Sequence, residues 1–375
     1  MSGADGRPRL LILSFSPIAS DARVLKQVRL FAGDYAVTTC GHGPAPEGVV
    51  EHLAIPDSLA VWRYDRGLVA TRRYRRAYWA NPAVAAAQQL LEGRTFDAVL
   101  ANDVDAVGLA LSVPSRGVHA DLHEYAPRQK EDLLRWRVFV APFIRWMCRA
   151  FVARAASATT VGQGIAEEYR RRFGIDAGVV TNAAPYVDRE PRPVHRPIRL
   201  VHSGAALHDR NIMTIVDAVD AASGDCTLDL YLTPNDPAYL DALKARQNAR
   251  VTVHDPVPYD ELNETLSRYD VGVHVLPPVN FNNTWALPNK FFDYVQARLG
   301  LVIGPSPEMA RVVHERGLGA VADDFSTEAL VREIERLDPA DVVRYKAASA
   351  AAARDLSAEA QVEGWHRAID RIVGR

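Results

Sequence analysis

The chain has no apolar run approaching the roughly 20 residues that a bilayer-crossing helix needs, so an integral helical membrane protein is excluded. Its first apolar run, Leu10 to Leu13 within "MSGADGRPRLLILSFSP", is too short for the core of a signal peptide. Cysteine is scarce as well. Cys40, Cys148 and Cys226 lie far apart, form no Cys-x-x-Cys and have no histidine at ligand spacing, which excludes a disulfide framework and a structural zinc site. A reducing cytoplasm is the expected home. An excess of either charge is also lacking: 44 basic residues face 46 acidic ones, for a formal net charge of -2. No global field is available to hold nucleic acid, which is not an expected partner, and any anionic surface would have to meet a local patch.

What the chain does contain is alternation. Its 375 residues suit two α/β domains, and short β-rich runs alternate with longer helical patterns from end to end, the signature of parallel sheets wrapped by helices. In the first half "RLLILSF", "YAVTTCG", "VVEHLAI", "FDAVLAN", "GVHADLH", "SATTVG" and "AGVVTN" read as strands, several apolar almost throughout, as in strands covered on both faces. Helices are predicted over Asp21 to Ala32 and Glu131 to Ala155, with another opening at Asn81-Pro82. The segment "PYVDREPRPVHRP", Pro185 to Pro197, carries four prolines in thirteen residues and reads as a stiff linker. Alternation then restarts with "IRLVHSG", "TLDLYLT", "ARVTVHD", "VGVHVLP" and "LGLVIGP". The expected domains are 1–184, the linker 185–197, and 198–356. The last helix, 357–375, puts Val362, Trp365, Ile369 and Ile372 on one stripe and belongs to no new strand. Ligands of such folds bind at the carboxyl ends of the strands, so function is expected at strand-to-helix turns and in a cleft between two facing domains.

Several turns carry chemistry. Gly204 ends a strand and permits close backbone approach, and Arg210 after it is placed for a two-pronged contact with a diphosphate; the plain alternative is a glycine turn with a solvent arginine. In "LPNKFFDY", Pro288 and Asn289 start a helix whose free amides attract an anion, and Lys290 deepens that well. Asp293, three residues on, suits a ribose diol. The competing reading is an exposed i,i+3 salt bridge between Lys290 and Asp293. Ser306, in "IGPSPEMARVV", opens a further helix, ordinary or ligand-facing. "HADLHEYAP" sets Asp121, His123 and Glu124 at one strand end, where imidazole can donate to a sugar hydroxyl and Glu124 can orient it. In "SDARVLKQ" Asp21 is a cap, while Arg23 and Lys26 run against the helix dipole and call for an anionic ligand or an interdomain partner. "NDVD", Asn102 to Asp105, is read as capping chemistry over metal chelation. Arg63 to Arg76 holds six arginines in fourteen residues, interleaved with Tyr64, Tyr74, Tyr78 and Trp79. A solvated face, a patch for anionic lipid head groups and a dock for a phosphorylated acceptor all fit it.

Taken together, "SDARVLKQVRLFAGDYAVTTCG", "DLHEY", "HSGAALHDRNIMTIVDAV" and "LPNKFFDYVQARLGLVIGPSPEMARVV" resemble the retaining two-domain (GT-B) glycosyltransferases over nearly the whole chain. The resemblance implies two facing Rossmann-like doubly wound domains, the first on the acceptor side, with the C-terminal helix crossing back to it. It implies Arg210 and Lys290 on a donor diphosphate, Asp293 on its ribose, Gly204 opening the backbone, Asn289 and Ser306 nearby, and His123 with Glu124 beside the transferred sugar. Two departures stand out. Trp285 and Asp293 occupy the places of the two glutamates that many relatives carry, and "SPIASD" lacks their glycines.

The implied activity is transfer of a sugar, with retention, from a nucleoside-diphosphate sugar to a saccharide, lipid-linked or small-molecule acceptor. Transition-state stabilisation is electrostatic in this scheme and requires no metal. A nucleotide-sugar 2-epimerase and a non-catalytic nucleotide-sugar-binding protein are the rival expectations.

Overall fold

The computed structural model of the protein describes residues 6–375. Residues 1–5, the head of the stretch read above against a signal peptide, lie outside the described residues. The chain divides into two compact units, one running to Thr181 and including Val362–Arg375, the other Asn182–Gln361.

The first unit is built on a parallel seven-stranded sheet of β1 (Arg9–Pro17), β2 (Ala36–His42), β3 (Glu51–Ala54), β4 (Ala98–Asn102), β5 (Val118–Leu122), β6 (Ser157–Thr160) and β7 (Ala177–Val179). Their order is β3-β2-β1-β4-β5-β6-β7. The seven apolar runs of the first half are these seven strands. β2, β4 and β5 are buried at every residue, because helices cover both faces. Helix Ala22–Phe31 begins where the Asp21 carboxylate accepts from Arg23 N at 3.0 Å and Val24 N at 3.2 Å, as expected of a cap. Its Val24, Val28 and Phe31 recur at helical spacing and join Leu10, Ile12 and Leu100 in the core. Trp365 and Ile369 of the C-terminal helix Ala358–Val373 fill the same core, so the stripe read from sequence returns to the first unit.

The long helix expected over Glu131 to Ala155 is broken. A π-helical turn, Trp136–Val140, precedes helix Ala141–Ala150, and a short 3-10 turn follows. Pro142 has no N–H for the carbonyl four residues back, and the ladder widens just before it.

The second unit carries a parallel six-stranded sheet of β8 (Ile198–Ala205), β9 (Cys226–Thr233), β10 (Val251–His254), β11 (Val271–His274), β12 (Gly300–Ile303) and β13 (Gly319–Val321), ordered β10-β9-β8-β11-β12-β13. Five were legible as apolar runs. β13 was not: it is a three-residue edge strand whose Gly319 lies so close to β12 that a Cβ would meet the Leu301 carbonyl oxygen at 1.8 Å.

Residues 185–197, expected as a stiff linker between domains, group with the second unit. The buried Arg298 donates to the carbonyls of Val187 and Arg189, and Arg189 and Arg192 pair with Glu264. Proline leaves carbonyls without ladder partners, and a guanidinium with five donors collects them. In both sheets the strand order reverses beside the first strand, at β1/β4 and at β8/β11, the switch points where doubly wound folds open a crevice.

Candidate functional site

At the β8/β11 switch point, Gly204 closes β8 with φ of 141°, a backbone conformation that side chains other than glycine rarely adopt. A Cβ there would stand 2.5 Å from Lys290 Nζ, so the absent side chain is what lets the amine approach the strand end. Lys290 is the second residue of helix Asn289–Gln296, which starts after Pro288 with no side chain capping its first amides. Phe291, Phe292, Tyr294 and Val295 anchor that helix in the core. Tyr294 fits because Gly272 on β11 leaves room for its ring, and its hydroxyl accepts from Ser203 N at 3.3 Å.

The amine so positioned has no ion-pair or hydrogen-bond partner among the described residues, and the i,i+3 pair with Asp293 does not form. Burial, then the neighbouring Arg210 cation, push the Lys290 pKa down to about 8, against a smaller opposing pull from Asp293. Arg210 ends the turn His208–Arg210 and lies only loosely beside Asp209, at 3.7 Å. Gly204, Arg210 and Lys290, singled out from sequence, are therefore brought together. Asp293 is 8% exposed and hydrogen-bonds the Tyr259 hydroxyl. Asn289 is exposed in the first turn of the same helix. Ser306 opens helix Pro307–Arg316 as read; it is buried, and its hydroxyl donates to the Leu276 carbonyl at 3.2 Å, tying two loops together.

Two residues beside this cluster escaped the sequence reading. His202 on β8 and His274 on β11 are buried and stacked with centroids 5.7 Å apart. Burial, then Lys290, depress both; His202 falls to about 3. His202 Nδ1 donates to Val273 O at 2.8 Å, while its Nε2 and both nitrogens of His274 have no partner among the described residues. The pair adds neutral polar atoms, and no charge, beside two cations. The only hint in sequence was a histidine near the end of each of two apolar strands.

The β1/β4 switch point of the first unit is organised differently. Asp121, at the end of β5, is fully buried and accepts from Arg23 Nε and Nη2, each at 2.7 Å, from Gln27 at 2.8 Å, from Thr159 at 2.7 Å and from Trp365 Nε1 at 3.1 Å. Burial alone would raise its carboxyl; Arg23 and His123 override this and hold it well below the usual range. The apparent misplacement of Arg23 in a first helical turn is thus resolved within one unit, by a buried bidentate pair that is neither a ligand contact nor an interdomain one.

His123 is also committed. Its Nε2 donates to Asn102 Oδ1 at 3.0 Å and its Nδ1 lies 3.3 Å from Asp103 Oδ2. Burial would lower its pKa, but Asp103 and then Asp121 raise it. Asp103 also accepts from His123 N, and it holds a left-handed backbone, φ 64°, which aspartate tolerates better than most residues. Asn102 makes no capping bond, so "NDVD" positions a histidine where capping was expected. Glu124, expected to orient His123, accepts instead from Gln129.

A cavity of about 330 Å³ opens here, lined by Asn102, Asp103, Asp105 and Glu124 with Trp62, Tyr64 and Trp136. His123 is not on its wall. Burial, then Asp103, raise Glu124 to about 7, and burial raises Asp105 to about 6 against the hydrogen bond from Tyr64. Among the described residues no three histidine, cysteine or acidic side chains converge as a metal-ligand set.

Two doubly wound units in one chain, ordered this way, match the GT-B fold. Among solved structures, sucrose-phosphate synthase from Thermosynechococcus elongatus superposes with a TM-score of 0.70 at 13% identity, covering 98% of this chain and 100% of the other. HepE from Anabaena, solved with UDP and glucose, gives 0.68 at 12% identity, covering 97% and 100%. The α,α-trehalose 6-phosphate synthase from Burkholderia multivorans gives 0.69 at 10% identity, covering 98% and 99%. No family model matches the sequence, and no curated protein does.

Proposed function

We propose that the protein is a glycosyltransferase that moves a sugar from a nucleoside-diphosphate sugar, with retention, to a hydroxylated acceptor. The observation that carries this reading is Lys290: a half-buried cation beside Gly204 and Arg210, with no anion of its own, at the switch point of a GT-B fold. Desolvation and a second cation both disfavour its charge, and a dianionic pyrophosphate would reverse both penalties. Arg210 supplies the second contact and the uncapped amides before Asn289 a third. Asp293, with Tyr259 beside it, is assigned to the ribose.

In the step itself, the acceptor oxygen bonds to the anomeric carbon on the face from which the diphosphate departs. The bond from that carbon to the phosphate oxygen breaks, and the acceptor proton passes to the leaving oxygen. Lys290, Arg210 and the helix amides stabilise the charge that builds there. On the acceptor side the carboxylates of Asp103, Asp105 and Glu124 would hold hydroxyls, with His123 acting as a positioning residue through Asp103. Because HepE was solved with UDP and glucose, uridine is the first base to test.

Uridine, guanosine and thymidine diphosphates should be compared for their rise in melting temperature, since a ligand that prefers the folded state stabilises it. One should raise it, and Lys290→Ala and Arg210→Ala should each abolish the rise. A full shift in either variant would refute the diphosphate contact. A new glycosidic bond in the product separates transfer from epimerisation.

A further inference from the structure

We infer that the first unit docks on an anionic lipid bilayer through the surface formed by residues 62–76 and 133–139. Nine large apolar side chains are exposed among the described residues, and five of them, Trp62, Leu133, Leu134, Val138 and Phe139, belong to these two segments at 44–69% exposure. The segments adjoin. Helix Arg66–Ala70 packs on the π-helical turn Trp136–Val140, while Tyr64 and Tyr74 turn inward onto Phe143, with centroids 4.9 and 5.5 Å away. That inward packing answers why aromatics interleave the arginines, and it leaves the arginines outside.

All six arginines between Arg63 and Arg76 are exposed, as are Arg135 and Arg137. None of these eight guanidinium groups has an acidic partner among the described residues, although arginines elsewhere in the chain pair repeatedly with Asp and Glu. Unpaired arginines around exposed Leu, Val, Phe and Trp complement a surface that is anionic outside and hydrocarbon beneath. A second copy of the chain is a poor occupant, because a twofold contact would press eight unpaired cations against eight. Trp62, Tyr64 and Trp136 of the same segments line the acidic cavity, so a bilayer seated here brings lipid head groups to its mouth. In that respect the inference extends the proposed function toward a lipid-borne acceptor.

Vesicle sedimentation of the full chain tests it, with phosphatidylcholine alone and with about one third phosphatidylglycerol. The wild type should sediment with the mixed vesicles, remain in solution with the neutral ones, and be released as salt is raised to about 0.5 M. Replacing Arg72, Arg73 and Arg75 together by Ala should weaken partitioning on the order of 100-fold. The pair Leu134→Ser and Phe139→Ser should weaken it at every salt concentration. Both variants should keep the wild-type melting temperature and nucleotide response. Failure of folded wild type to bind mixed vesicles, equal binding to neutral ones, or undiminished binding by the triple variant would each overturn the inference and leave the arginines to a soluble anionic macromolecule. Vesicle binding without any nucleotide response would instead sink the proposed function and spare this one.

Discussion

The two units share a strand order and a switch point, yet they treat a cation beside it in opposite ways. In the first, Arg23 is locked to Asp121 in a network that also takes in Gln27, Thr159 and Trp365. In the second, Lys290 stands beside Arg210 and two neutral histidines without an anion. The first arrangement holds a unit together, joining the C-terminal helix to the sheet. The second leaves Lys290 with its charge disfavoured by desolvation and by Arg210, and in the proposed function the donor diphosphate supplies the missing anion.

The sharpest way to break that comparison is to delete each cation with the same substitution. Arg23→Met should cost about 3–5 kcal/mol, because it strands the Asp121 carboxylate in the interior. Lys290→Met should leave the unliganded protein as stable as before or raise its melting temperature by roughly 2–4 °C, while removing the nucleotide response. Urea and thermal unfolding of the two variants measure this; similar losses in both would erase the distinction.

A smaller effect follows from pH. Lys290 is depressed to about 8 from its ordinary 10.5, so its cation is present below about pH 8 and lost above it. Nucleoside-diphosphate affinity should therefore hold below that value and fall by up to about tenfold per pH unit above it. For the unliganded fold the sign is opposite: between about 8 and 10.5 the unfolded chain binds the extra proton, so this group's contribution to stability rises with pH. Calorimetric titrations across this range, with Lys290→Met as the control lacking the inflection, would establish it. The smallest expected change is that of Gly204→Ala. Its Cβ would meet Lys290 Nζ at 2.5 Å, but the end of a lysine can swing aside. Nucleotide affinity should drop by about tenfold, with a slight loss of melting temperature from the strained φ.

Twelve of the thirteen strands were legible as short β-rich runs bounded by turn residues, several of them, such as β2, β4 and β5, apolar and covered on both faces. β13 was not legible: its three residues, Gly319 to Val321, are half-buried and include a glycine, and unlike β7 they are not continued by a further apolar run. Gly204, Arg210 and Lys290 were legible through local chemistry, a glycine after a strand and cations near helix starts. His202 and His274 were missed and Asp103 was read only as capping chemistry, because a histidine in an apolar strand or an aspartate before a helix looks ordinary until its neighbours are known.

By itself, the sequence determined the alternation of strand and helix, the apolar stripe of the last helix and the cations near the second switch point. All of these depend on period, composition and near neighbours along the chain. Which charges are paired was decided only by the tertiary structure. Arg23 and Asp121 are 98 residues apart, Lys290 and Asp293 only three, and it is the distant pair that formed. Pairing follows distance and burial in space, and the amphipathic period of a helix carries no information about what lies across the sheet.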